Sequence, residues 1–222
     1  MRSDWAANFC RLMHWTHATA AAIDRVDSPD AVVVLREGSR LKRTDFSKDA
    51  LSDLLRASLV MVVSAIDAYF HAKIIAYVVA LANKGTAMPP ALSNAKISVA
   101  DFVKAKKYER PMTVVRNALA EYLGYQSLQA PDQIASALSW LGVADFWNQV
   151  AARMGATRAN VTSGLKAIVK RRNQIAHEGD LSQSKKARNK SRPLTPKEVR
   201  RALAFSLKLI PRAEREINSQ LP

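Results

Sequence analysis

The stretch LKAIVKRRNQIAHEGD, residues 165–180, decides how the rest of the chain is read. Leu165, Ile168, Val169 and Ala176 recur at helical spacing on one stripe, and Arg172 sits on that stripe with them. A guanidinium is therefore aimed where the core is expected. Arginine keeps its charge and is rarely buried unpaired, so this one either snorkels outward or meets a carboxylate, a phosphate or a second chain. His177 follows, bearing the side chain that changes protonation most readily near neutral pH. Gly179 then suits a helix C-terminus.

An arginine that holds phosphate and a histidine that moves protons are sufficient parts, in principle, for cutting RNA without a metal or other cofactor. RNA carries its own nucleophile in the 2′-hydroxyl, so a protein need only take one proton, give another and stabilise charge on phosphorus. Asn173 lies on nearly the same helix face as His177 and is placed to orient the imidazole or to bind a phosphate oxygen. The segment Arg172-Asn173-Gln174-Ile175-Ala176-His177 resembles the Arg-(polar)-x-x-x-His signature of the HEPN superfamily, small helical proteins that include many dimeric ribonucleases of toxin and antiviral systems. Arg11 and His17 also fall within the four-to-six-residue spacing that the family allows. The setting favours the later pair: asparagine after the arginine, Ile-Ala before the histidine, glycine beyond. The competing reading, a basic helix end that complements the dipole, predicts exposed charges and not one on an apolar stripe.

The bulk properties agree with a helical, anion-seeking protein. A chain of 222 residues is long enough for one good core and short for two independent domains, so residues 1–222 are read as a single domain. Scarce glycine, 7 in all, with 48% hydrophobic residues in long alanine- and leucine-containing runs, argues for an all-α fold. Lys and Arg number 34 against 19 Asp and Glu, a formal net charge of +15, which attracts polyanions and nucleic acid above all. Neither terminus carries a lipidation motif or a basic amphipathic anchor, so no membrane partner is expected. The lone Cys10 rules out an intrachain disulfide, and Asp4 and Asn8 interrupt any signal-peptide core; a cytoplasmic protein is the expectation.

Taken in order, residues 4–23 predict a first helix on which Cys10, His14 and His17 share a face. Packing is favoured over zinc, because three soft ligands on one straight helix converge poorly and no fourth is in view. Ala31 to Leu35, AVVVL, is a strand or a buried loop with no obvious pairing partner, and Arg36, Arg40, Lys42 and Arg43 follow as a solvated basic loop. Residues 49–83 predict the longest helix. Its centre is apolar enough to consider a membrane span, but Ser64, Asp67 and His71 on one polar stripe, with Lys73, fit an amphipathic core helix better. The step from Ser64 to Phe70 resembles the early core helix of some HEPN branches, which makes Asp67 a candidate to pair with Arg172 or steer His177, or else a plain helix-surface acid.

Residues 86–155, opened by Met88-Pro89-Pro90, predict shorter helices at about 98–107, 112–122, 131–141 and 145–154, read as an insertion that shapes a substrate or partner surface. Its lysines and arginines, with Tyr108, Tyr122 and Tyr125, offer a surface for unpaired bases, although tyrosines in short helices are more often core. The signature helix spans residues 157–178, capped by Thr157 or Asn160. Residues 181–193 form a basic loop that either tracks an RNA backbone or is a solvated linker. Thr195-Pro196-Lys197-Glu198 then starts the last helix with a capping box, and Val199, Leu203, Leu207, Ile210 and Ile217 are read as its inward side.

The resemblance implies an all-α, HEPN-like helical bundle with long core helices. It further implies a homodimer in which two Arg172/His177 motifs share a cleft and cut RNA to leave a 2′,3′-cyclic phosphate. His177 would act as general acid or base and Arg172 would hold the scissile phosphate, with Asn173 and Asp67 beside them. Lys170, Arg171, Lys185, Lys186 and Arg188 are the candidate nucleic-acid contacts. An antitoxin or regulatory partner would fit the same setting. The alternative is a non-catalytic helical module that binds nucleic acid or a partner protein. A DNA-binding regulator is less favoured, since no compact helix-turn-helix signal is found.

Overall fold

A computed structural model describes residues 32–34, 40–42, 48–85, 98–107, 111–181 and 191–220. The predicted first helix, the Cys10/His14/His17 face, the Arg11–His17 pair, Arg36, Arg43, Tyr108, the Met88–Pro90 break and the loop cations Lys185, Lys186 and Arg188 lie outside them. Among the described residues the fold is all-α apart from one short pair of strands. Helix α1 spans Lys48–Asn83, α2 Val99–Lys107, α3 Pro111–Gly124, α4 Pro131–Ser139, α5 Phe146–Met154, α6 Arg158–Glu178 and α7 Pro196–Gln220. The valine run does find a partner. Val32–Val34, strand β1, pairs antiparallel with Arg40–Lys42, strand β2. This corrects the reading of Arg40 and Lys42 as loop residues: alternating Arg-Leu-Lys is short and polar, and presents no hydrophobic signal of a strand.

The chain divides into two compact units, the first taking residues up to Ala65 and from Ala167 to Lys208, the second Ile66–Lys166 and Leu209–Pro222. Helices α1, α6 and α7 each contribute to both, and the short helices α2–α5 lie in the second.

In the first unit Leu55, Leu59, Leu194, Val199 and Ala202 form a buried cluster, with Ile168 and Ile175 packed against it. Local chemistry places these helices as the sequence predicts. Thr157 caps α6 by accepting from the Asn160 N–H at 3.2 Å. Thr195 and Glu198 close a reciprocal capping box at the start of α7, with the Thr195 N–H donating to Glu198 Oε2 at 2.7 Å and the Glu198 N–H to Thr195 Oγ1 at 3.3 Å. The inward side of α7 differs in one place. Val199, Leu203, Ile210 and Ile217 are buried, whereas Leu207 is exposed and Ser206 fills its expected position. Steps alternating between three and four residues, 199, 203, 206, 210, 213 and 217, keep the stripe straight, and Leu207 falls beside it. Buried Ser206 satisfies its hydroxyl on the Ala202 carbonyl at 2.9 Å.

The second unit is built on aromatic contacts. Tyr69 meets Phe70 edge-on at 4.9 Å, Phe70 meets Phe146 at 6.1 Å and Phe146 meets Trp147 at 4.9 Å, while the Trp147 indole N–H donates to the Pro131 carbonyl at 2.8 Å. Helix α1 is long and apolar enough between Ser52 and Asn83 to cross a membrane by length and composition alone. Here it forms core. Val62, Val63, Ile66, Tyr69, Phe70 and Ile74 are buried, and Arg56, Asp67, His71 and Lys73 have protein partners.

Lys73 is one of them, donating to Glu214 Oε1 at 2.7 Å and to Asn218 Oδ1 at 2.6 Å, and the Tyr69 hydroxyl donates to Glu214 Oε2 at 2.7 Å. Burial pushes the Glu214 carboxyl up, but hydrogen bonds from Lys73, Tyr69 and Asn218 and the lysine charge together hold it below the usual glutamate range. Burial, reinforced by the Glu214 charge, pushes the Tyr69 phenol well above its ordinary value. A depressed carboxyl stabilises the fold above its unfolded-state pKa and loses that contribution as pH falls through the native value. Glu214→Gln is therefore expected to be less stable than wild type at neutral pH, with the gap closing on acidification; urea unfolding of both proteins across that range checks it.

Candidate functional site

Helix α6 carries the signature, and all of its final turns belong to the first unit. Leu165 and Val169 are buried and Ile168 is half-buried, as the periodicity predicts. Ala176, expected on the same stripe, is exposed; Ile175 takes the packed position. Arg172 is half-buried, and its Nε is out of contact with solvent and without a hydrogen-bond partner among the described residues. Its Nη1 donates to Asn173 Oδ1 at 2.9 Å. Asn173 thus braces the guanidinium, where the sequence had suggested the imidazole or a phosphate. His177 is exposed.

The neighbouring arginine has a different task. Arg171 grips the buried carboxylate of Asp180 with both terminal nitrogens, and its Nη2 also reaches the Arg192 carbonyl at 3.3 Å and the Pro193 carbonyl at 3.4 Å. From α1, Arg56 donates through Nε to the same carboxylate at 2.7 Å and through Nη2 to the Arg192 carbonyl at 3.0 Å. Arg56 Nη1 bonds to Ser52 Oγ at 2.6 Å and Asp53 Oδ1 at 3.2 Å. Two guanidiniums thus share one carboxylate whose side chain is 1% exposed. Arg171, expected among the nucleic-acid contacts, is thus engaged inside the protein through both terminal nitrogens. Lys170, by contrast, is exposed.

Neither Asp180 nor Arg56 was singled out in the sequence. The signal was present in Arg56, which falls on the apolar stripe of α1 with Ser52, Leu59 and Val63, the same anomaly that marks Arg172. Asp180 gave less warning. It follows Gly179, and both adopt the left-handed conformation, with φ of 60° at Gly179 and 57° at Asp180, so the chain turns sharply and drives an acid inward.

Asp67 has partners other than the signature residues expected for it. Its Oδ1 accepts from the Leu128 N–H at 2.7 Å, and Oδ2 lies 3.4 Å from His71 Nδ1. His71 Nδ1 also faces the Asp67 carbonyl at 2.9 Å, and Nε2 faces the carbonyls of Leu123 and Gln126, both at 3.0 Å. Asp67 and His71 together fasten the turn after α3 to α1 within the second unit. A turn offering several backbone groups at once draws an acid and an imidazole more strongly than sequence spacing can reveal.

The family model described as RiboL-PSP-HEPN matches residues 35–220. The chain belongs to this HEPN family. No curated protein and no solved structure matches it. Membership accounts for the all-α architecture and makes this a HEPN-type module. Within the HEPN chain, α6 carries a braced, half-buried arginine and, five residues further along, an exposed imidazole. That pairing can bind an oxyanion and exchange a proton beside it.

Proposed function

We propose that this HEPN protein is a metal-independent endoribonuclease, acting in a toxin or antiviral defence setting, with RNA as substrate. The single observation that carries the reading is Arg172: its Nε is shielded and has no partner among the described residues, while Asn173 steadies its other end. A buried donor without an acceptor costs on the order of 1–3 kcal/mol, a cost that an incoming phosphate oxygen would offset. In the proposed reaction, His177 in its basic form takes the proton of the RNA 2′-hydroxyl, whose oxygen attacks the adjacent phosphorus. The P–O5′ bond breaks, and the departing 5′-oxygen receives a proton from an acid in the site. The products are a 2′,3′-cyclic phosphate and a free 5′-hydroxyl, while Arg172 stabilises the charge on the phosphoryl oxygens.

We further propose, from family membership, that two copies pair so that both motifs open onto one cleft, and that an antitoxin or regulatory partner restrains them. Sedimentation of the purified protein should then give a dimer.

Chelator-treated protein incubated with single-stranded RNA tests the activity. Fragments ending in cyclic phosphate support it, whereas RNA that is bound and left intact favours a non-catalytic binding module. Arg172→Lys is expected to lower the cleavage rate by roughly tenfold to a thousandfold, because a point charge cannot reproduce the planar two-pronged contact with phosphate. Full activity in that variant would remove Arg172 from the chemistry.

A further inference from the structure

The buried carboxylate of Asp180 is tied in three directions at once. Its side chain receives Arg56 and Arg171, its N–H donates to the Gln174 carbonyl at 2.9 Å, and its carbonyl accepts from the Arg192 N–H at 2.8 Å. The Asp180-to-Gln174 bond closes a loop of chain, and His177 sits midway round it. The last turn of α6 is thus fixed to its own preceding turn, to α1 and to the segment leading into α7. Helix ends fray when their carbonyls lack partners, and an exposed imidazole on a fraying turn has no set position. Asp180 also holds a positive φ of 57°, a conformation that persists in a non-glycine residue when its surroundings over-determine it.

We propose that Arg56, Asp180 and Arg171 are positioning residues that fix where the His177 ring stands relative to Arg172. The role rests on the nuclease reading given above for its consequence in catalysis, though not for its geometry. Adjacent arginines on α6 divide the labour. Arg171 holds the frame inside the protein, and Arg172 faces the phosphate.

The test uses the full chain and two variants. Arg56→Met/Arg171→Met/Asp180→Asn removes the ionic clasp while keeping similar volumes and a residue that tolerates the left-handed backbone. Arg56→Lys keeps the charge but cannot bridge Asp180 and the Arg192 carbonyl together. The readout is the ring resonance of His177 in a carbon–proton correlation spectrum, assigned by its disappearance in His177→Ala, together with kcat and KM on single-stranded RNA.

In the folded triple variant the His177 resonance is expected to move and broaden, with kcat falling roughly tenfold to a hundredfold and KM changing less than about twofold. Arg56→Lys is expected to give an intermediate shift and an intermediate kcat. If the triple variant fails to fold, Arg56→Lys decides alone. A His177 resonance that stays in place in the folded variants overturns the proposal. If wild-type protein leaves RNA intact, the nuclease reading fails, and the resonance still decides whether the clasp positions the ring.

Discussion

Replacing His177 by alanine is expected to lower RNA cleavage by roughly a hundredfold to ten-thousandfold, the usual contribution of a positioned proton-transfer group. RNA binding should survive, because the phosphate contact is proposed for Arg172 and the chain retains its large positive charge. The fold should survive as well, since His177 is exposed. The two expectations together make the experiment decisive. A gel-shift titration and a cleavage time course on one RNA, with wild type and His177→Ala side by side, separate loss of chemistry from loss of binding. Cleavage that continues undiminished would take the imidazole out of the mechanism.

Removing Asp180 should have the largest effect on stability. In Asp180→Ala the two guanidiniums of Arg56 and Arg171 lose their shared counter-charge while their side chains stay only 12% and 19% exposed. Breaking a buried ion pair by deleting one partner costs about 3–5 kcal/mol, because the remaining charge is left uncompensated. Alanine at a positive φ adds strain in the same direction. Urea unfolding should show the midpoint well below that of wild type, while the triple variant, which removes charge on both sides, should stay close to it. If Asp180→Ala costs no more than a surface ion pair, about 1 kcal/mol or less, the carboxylate is not holding the two arginines as described.

Much of the fold was legible because helices announce themselves locally. Proline and glycine breaks, the Thr195–Glu198 capping box and the apolar stripes placed every described helix to within about two residues, the usual limit of boundary assignment. The β1–β2 hairpin was not legible, since three-residue strands with a polar partner carry too little alternation to register. The candidate site was half legible. Arg172 stood out because a charge on an apolar stripe needs an explanation, and its shielded Nε shows that the anomaly survives folding. The protein partners of Arg171 and Asp67 were not legible, for a common reason. Their partners, Asp180 and the Leu128 N–H, are chosen by the path of the backbone, and sequence spacing carries no record of that path.

The burial of the Asp180 carboxylate separates two responses that a strongly basic protein would otherwise confuse. Mobile ions screen charges that water can reach and leave enclosed ones almost untouched. Rising ionic strength should therefore loosen the grip of exposed cations such as Lys170 on any polyanion well before it disturbs the enclosed arginine pair. Polyanion capture is then expected to respond to the surrounding electrolyte while the architecture beneath it stays intact.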